Sequence, residues 1–415
     1  MHRQGLEAPE LRAPQNMAAA VARTGWLNSP SGSTPYLALA ARFVSFSRHD
    51  LDRCIFEEGT LVELPAVRGT TMVAPVEEAW LALQSYQPRN RARVQDLLGR
   101  YRLLTRAALH NLEDVVRAVL AGRALAVETL REKVPRRLVK PLGPAGEVYG
   151  MPTSVDLALW DLVAGGDVIC RPVERRLDRS RFEYVLRRDL NGPVVSADVR
   201  PRSPGEFARA LAHRYFTWSG PARQIDFAWW ADLPAPEARQ AVQDLELAAV
   251  KLDGVRGDWL LHPADLEDLL AFTPPARVGV ALVPFRDTLT ASCKTFEALV
   301  DPEDVRRPVM EWGGRRIPAL EAGPSSTHHH FIVVAGRLAG AWEHGADGVL
   351  RYATFRELPP DIDPVLEIRA AAMAEFVRRE LGEARFYAGG RGRGLTLADA
   401  AQEWTGRTVR IHPRV

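Results

Sequence analysis

The residues best placed for chemistry form a small polar loop, Asn28-Ser29-Pro30-Ser31-Gly32-Ser33, set between two apolar stretches. Asn28 offers a carboxamide, and Ser29, Ser31 and Ser33 offer hydroxyls that can place a water molecule, although a hydroxyl is a poor general base without a basic neighbour. The same residue types build ordinary turns. The flanks are what single the loop out. Met17 to Trp26 has the spacing of a short amphipathic helix with Met17, Val21 and Trp26 on one side, and Thr34 and Pro35 suit the cap and first position of a second helix, Tyr36 to Phe43. A loop clamped between packed helices presents its side chains at a fixed place. A second cluster is Thr327-His328-His329-His330 ahead of a strand, where His328 and His330 share a face and are weak candidates for metal binding with Glu343 or His344. No cysteine or carboxylate is locally spaced to complete a tetrahedral site, so a structural role or surface histidines are expected, with no metal and no cofactor. The sequence holds no H-E-x-x-H, P-loop, G-x-S-x-G or kinase motif. Gly389 to Gly394 follows no strand pattern and lies near the C-terminus, which speaks against a dinucleotide fingerprint and leaves an Arg/Gly tail that touches phosphate open.

Charge is the second guide. Across 415 residues, 54 Lys and Arg nearly balance 52 Asp and Glu, yet Lys stands only at 133, 140, 251 and 294. The basic chemistry is guanidinium, whose planar fork pairs bidentately with phosphate oxygens. The positive charge is also local. Arg131, Lys133, Arg136, Arg137 and Lys140 face a single acid, Glu132, and an Arg-rich hairpin follows at Val168 to Arg188 with Arg171, Arg175, Arg176, Arg179, Arg181, Arg187 and Arg188 against Glu174, Asp178 and Glu183. One such run is usually a solvated face; two in one unit favour nucleic acid. Arg89, Arg91 and Arg93 add a basic connector upstream. Cys54, Cys170 and Cys293 are far apart, which argues against a disulfide framework or zinc knuckle and fits a reducing compartment. The charged, proline-bearing first residues and the lack of a long apolar run predict neither an export signal nor a membrane span.

The chain length predicts several domains. A recurring outline of helices followed by a hairpin predicts an α+β protein of three tandem winged-helix units with a small β-rich module behind them. The first unit, 1–100, has helices up to Glu58, a hairpin over Leu61 to Ala74 turning near Pro65 or Arg68-Gly69, an exit helix Val76 to Tyr86, and the connector Pro88 to Arg93. The second, 101–200, opens on a long helical region, Tyr101 to Val134, and holds both basic runs and the helix Ser154 to Val163, stopped by Gly165-Gly166. The third, 201–275, reads as helices Phe207 to Trp218, Gln224 to Trp230 and Pro236 to Val250, then a wing of Lys251 to Val255 with Asp258 to Leu261. Its last helix carries Glu237, Asp244 and Glu246 against Arg239, so this unit is expected to be scaffold, with Trp218, Phe227, Trp229 and Trp230 in its core. The module, 276–415, has short strands at Val278 to Phe285, Arg316 to Leu320, Phe331 to Ala335, Arg337 to Trp342 and Val349 to Phe355, then the helix Pro364 to Leu381.

Five segments add a resemblance. They are L-N-S-P-S-G-S-T-P-Y-L-A-L-A-A-R (27–42), R-G-T-T-M-V-A-P-V-E-E-A-W (68–80), W-S-G-P-A-R-Q-I-D-F-A-W-W (218–230), L-V-P-F-R-D (282–287) and V-V-A-G-R-L-A-G-A-W (333–342). In this order they resemble the signature blocks of the AlkZ/YcaQ winged-helix family. The resemblance implies monofunctional DNA glycosylase chemistry on bulky alkylated purines and interstrand crosslinks, a concave basic surface for double-stranded DNA, a monomer, and a cytoplasmic, nucleoid-associated place. It also implies a catalytic Gln-x-Gln or Gln-x-Asp just before the second helix. That motif falls without a gap on Asn28, Ser29 and Pro30, so a shorter carboxamide replaces the first Gln and a residue with no side-chain donor or acceptor replaces the second. Catalytic candidates are therefore Asn28, Ser29 and Ser31, and DNA-binding candidates are Arg89, Arg91, Arg93, Lys133, Arg136, Arg137, Lys140, Arg175, Arg176, Arg179 and Arg181. An altered glycosylase, a DNA-binding homologue without catalysis, and a small-molecule (genotoxin) binder on the same scaffold all stay open at this point.

Overall fold

A computed structural model describes residues 4–6, 16–30, 32–101, 104–190, 203–252, 255–311, 314–345, 347–382 and 397–411. The chain falls into two compact units, one of Met1–Leu51 with Ser203–Val415 and one of Asp52–Arg202. It opens with α1 (Met17–Thr24), the two-residue extended β1 (Leu27–Asn28), α2 (Thr34–Ala40) and α3 (Arg48–Phe56). Asn16 caps α1 by accepting from the Ala19 N–H at 2.9 Å. Pro35 lies in the first turn of α2 as expected, but Thr34 is already helical, and Ser33 in the cap position makes no side-chain cap bond because its own backbone is helical.

In the second unit, β2 (Leu61–Pro65) and β3 (Thr71–Pro75) form an antiparallel hairpin. Its turn is at Arg68 and Gly69, both left-handed at φ 58° and 71°. The expected break at Pro88 is overturned: α4 runs unbroken from Ala79 to Tyr101 with Pro88 inside it. Proline removes one helical hydrogen bond, which the apolar face of Leu81, Ala82, Tyr86, Val94 and Leu97 outweighs by burial. Arg89, Arg91 and Arg93 are thus helical residues and not a connector. The helical region expected over 101–134 is instead α5 (Arg106–Leu120), β4 (Ala124–Leu125) and α6 (Val127–Lys133), interrupted at the left-handed Gly122. After α7 (Gly143–Val148), α8 (Ser154–Gly165) starts with a Thr153/Asp156 capping box and stops at the left-handed Gly166. β5 (Val168–Pro172) and β6 (Phe182–Leu186) complete a three-stranded sheet in the order β4-β6-β5. Leu109, Leu112, Val116 and Leu120 line one side of α5 and share a core with Val155, Leu159 and Leu162 of α8.

The remainder of the first unit begins with α9 (Pro204–Ser219), α10 (Gln224–Ala231) and α11 (Ala235–Gln243). α11 is shorter than expected, and the hairpin strands are β7 (Ala248–Val250) and β8 (Trp259–Leu261), Val250 opposite Trp259. Lys251 and Leu252, read as the start of the first wing strand, lie beyond the end of β7, and residues 253 and 254 of that stretch lie outside the described residues. α12 (Ala264–Ala271) leads to β9 (Val280–Val283), α13 (Thr288–Ala291), the ribbon of β10 (Pro308–Met310) and β11 (Arg316–Pro318), then β12 (His330–Val334), β13 (Arg337–His344), β14 (Leu350–Thr354), α14 (Asp363–Phe376), α15 (Leu397–Ala400) and β15 (Thr408–Ile411). The β module is an antiparallel sheet in the order β15-β14-β13-β12-β9. β11 pairs with β10, outside that sheet, and β15 was not foreseen. α14 packs on the sheet and reaches α2, with Phe376 and Phe46 ring centroids 5.7 Å apart. Gly389 to Gly394 lies outside the described residues.

Candidate nucleic-acid interface and the Asn28 loop

The Asn28 loop is fixed on both sides by tertiary contacts. Trp26, 1% exposed, meets the Trp218 ring edge-on at 5.2 Å and Trp230 at 6.2 Å. Trp218 in turn donates its indole N–H to the Ala22 carbonyl at 2.8 Å, so the end of α1 and the start of the loop are tied to α9 and α10. Gly25 has φ 102°, and a Cβ there would lie 2.5 Å from Thr288 Cγ2; only glycine lets the chain turn into β1 at this approach. On the far side of the loop, α2 is buried along most of its length and is followed by Arg42, which is fully buried. Its guanidinium donates to both Asp287 oxygens, at 2.7 and 2.9 Å, and to the Ala38 carbonyl at 2.8 Å. Asp287 also accepts from the Leu289 N–H at 3.0 Å, capping α13. A buried bidentate pair of this kind holds a geometry more than it adds stability.

Between these anchors Asn28 and Ser29 are 5% and 6% exposed, and Pro30 is half-buried. Ser29 has a partner of its own. Among the described residues no hydrogen bond joins the Asn28 carboxamide to a carboxylate or an imidazole. Ser31 lies outside the described residues. The arrangement therefore presents one buried carboxamide, able to orient a water or turn its carbonyl dipole toward a developing cation, beside a proline ring that can do neither.

The basic residues divide into two kinds. Lys133, at the end of α6, and Arg136, Arg137 and Lys140 just beyond it are exposed, and among the described residues none of the four has an ion-pair partner. The hairpin is different. Arg171 pairs with Glu183 at 2.8 Å, Arg181 with Glu174 at 2.7 Å, and Arg176 grips both oxygens of Asp178, which Arg179 also approaches at 3.9 Å. Its acids are thus neutralised within the hairpin, while Arg175, at the left-handed turn, is exposed and carries no ion pair among the described residues. In α4, Arg89 and Arg91 are exposed, whereas Arg93 stacks over Tyr149 at 4.9 Å and Trp160 at 4.4 Å.

The histidine tract is mostly withdrawn from solvent. His330 is 2% exposed, stacks on Trp342 at 4.4 Å, and its Nδ1 accepts from the Phe285 N–H at 2.7 Å. Burial lowers His328 and His329 to about 4 and His330 to about 3, so all three stay neutral in the fold. Among the described residues no three His, Cys, Asp or Glu side chains come together as metal ligands would, and no helix is long and apolar enough to cross a membrane. The scaffold aromatics are where the pattern placed them: Trp218, Phe227 and Trp230 are buried, and Trp229 is half-buried.

Sequence reasoning missed the Arg42–Asp287 pair and the Arg223 network, in which Arg223 holds Asp226 at 2.7 Å and Glu297 at 2.9 Å. The available signal was that both arginines and both aspartates lie within or at the ends of the quoted blocks.

Comparison with curated protein sequences gives no match. Among solved structures, the chain is similar to the Streptomyces sahachiroi DNA glycosylase AlkZ, with a TM-score of 0.68 and 21% identity over 93% of this chain and 95% of that one. The profile of the family described as DNA glycosylase AlkZ-like matches residues 21–379. The mixed α/β fold and the ordered blocks it contains thus agree with the sequence comparison, and the chain belongs to the AlkZ-like DNA glycosylase family.

Proposed function

We propose that the protein is a monomeric duplex-DNA-binding member of its family, built from three tandem winged helices within 1–100, 101–200 and 201–275 and a β module over 276–415, and that it recognises alkylated or crosslinked DNA while hydrolysing N-glycosidic bonds slowly or not at all. The observation that carries the binding reading is the exposed set Lys133, Arg136, Arg137 and Lys140, none of which is in an ion pair among the described residues and whose run holds one acid, Glu132. Unneutralised cations grouped on one short stretch gain most from displacing the counterions of a phosphate backbone.

The catalytic part of the reading rests on Asn28 and Pro30. Breaking an N-glycosidic bond develops positive charge on the sugar, and the reaction needs one group to orient water and another to stabilise that charge. Asn28 can serve in one of these roles. Pro30 stands where the family motif supplies the second group, and it brings only a ring. Arg42 and Trp26 keep the loop in place, so the site retains its shape for a base or a sugar edge while lacking half of its chemistry.

The test is a fluorescence-anisotropy titration with undamaged and alkylated duplexes at several salt concentrations, together with chromatographic measurement of released base. Binding that weakens steeply with salt, with little base release, is the expected result. Binding indifferent to salt overturns the interface, and robust release abolished by Asn28→Ala overturns the disabled site.

A further inference from the structure

A cavity of about 780 Å³ opens in the first unit, between the α9–β8 layer and the end of the sheet at Gly279 and Ala335, away from Asn28 in its lining. That volume is in the range of sites that enclose drug-sized molecules. Trp218 and Trp259 stand in its wall, with Leu261 and Leu289 beside them, and the rim is formed by Leu269 of α12 and by Phe272. α12 has no buried residue, and Leu269, Phe272 and Val278 are 37%, 40% and 37% exposed although they face the cavity mouth. Large apolar side chains left open around a concave site are what a ligand would cover.

The polar groups of the wall define the class of ligand. Asp226, 2% exposed, is already engaged by Arg223 and by the Lys294 N–H at 2.9 Å, and Arg223 is taken up by Asp226, Glu297 and the Trp259 ring at 5.3 Å. The Tyr215 hydroxyl donates to the Ser292 carbonyl at 2.7 Å. Asp268 and Arg277 are exposed at the rim, where water screens them. A charged ligand would bury its charge in this wall with no free counter-charge to meet it. We propose that this cavity is a second binding site, for a neutral, largely apolar small molecule with a planar ring system, held between the Trp218–Trp259 wall and the Leu269–Phe272 rim.

The experiment titrates the full chain with the neutral fluorophore N-phenyl-1-naphthylamine. Saturable one-to-one binding is expected. Ser292→Trp, which fills the cavity, and Leu269→Asp, which charges its exposed rim, should each weaken binding about tenfold or more, with circular dichroism unchanged. Leu270→Ser changes a side chain on α12 that is 78% exposed and not part of the wall, and it should bind as the parent does. Should Ser292→Trp fail to fold, Leu269→Asp carries the test alone. Absence of saturable binding overturns the site, as does undiminished binding by the folded wall and rim variants. A loss in Leu270→Ser as large as in Leu269→Asp also overturns it, because it would place the probe on the outer surface of α12.

Discussion

The guanidinium of Arg42 meets the carboxylate of Asp287 at 2.7 and 2.9 Å with both side chains fully withdrawn from solvent. Each is the last residue of a family block, and 245 positions separate them. The pair thereby joins the helix behind the Asn28 loop to the cap of α13. Its removal has an asymmetric cost. Asp287→Ala leaves a buried, uncompensated cation and should destabilise by about 3–5 kcal/mol, whereas Arg42→Leu with Asp287→Ala removes both charges and should recover part of that loss. Chemical denaturation of the three proteins checks this; a single variant within about 1 kcal/mol of the parent would show that the pair does not hold the loop.

Replacing Arg136 and Arg137 together by Glu should weaken duplex binding by more than about tenfold and lower the slope of log affinity against log salt by about 2, one phosphate contact each. Arg181→Glu should cost much less, since Arg181 is already paired with Glu174. Arg239→Glu, on α11 with Glu237 beside it and Asp244 and Glu246 just beyond, should matter little. Equal losses at all three places would mean that the unpaired cations beyond α6 are not the contact surface.

Much of this division was hidden from the sequence. Gly69 after Arg68 marked a turn, and Pro35 marked a helix start, because each restricts or frees its own backbone. Pro88 misled for the same reason: proline is a local signal, and the burial of Tyr86 and Val94 that overrides it is not local. The count of arginines in the hairpin was legible, but not that Arg176 and Arg181 turn onto Asp178 and Glu174, or that Arg93 lies on Trp160. The position of Asn28 could be read from its flanks; the anchors that hold it, Trp218 and Asp287, come from distant parts of the chain.

Acid should weaken the unit that holds the sheet. In the unfolded chain His329 protonates near 6.5, while burial lowers it to about 4 in the fold. Between these values the unfolded state binds the extra proton, so the stability is fully present above 6.5 and is lost as pH falls toward 4, by about 2 kcal/mol at pH 5. His329→Leu removes the titrating group and should flatten the difference between pH 7 and pH 5 by about that amount in denaturant midpoints. An unchanged pH dependence in this variant would show that His329 is protonated in the folded protein.

Restoring the second polar group is the most direct test of the site. Asn28→Gln with Pro30→Gln returns the family's pair to a loop whose two ends are already held by Trp26 on Trp218 and by Arg42 on Asp287. The double variant should release alkylated purine from duplex DNA faster than the parent, and each single variant should gain less, because one carboxamide cannot both orient water and face the sugar cation. Losing the Pro30 ring frees the unfolded chain and should cost about 0.4–1 kcal/mol, which thermal unfolding measures separately from activity. Ser29 gives a control: Ser29→Ala in the double variant should leave most of the gain, since a hydroxyl without a basic neighbour is a poor general base. A folded double variant that binds DNA with parental affinity and releases no base would falsify the assignment of Pro30 as the missing half of the site. If instead the parent releases base rapidly and Asn28→Ala abolishes it, Asn28 works with a group other than the one two residues on.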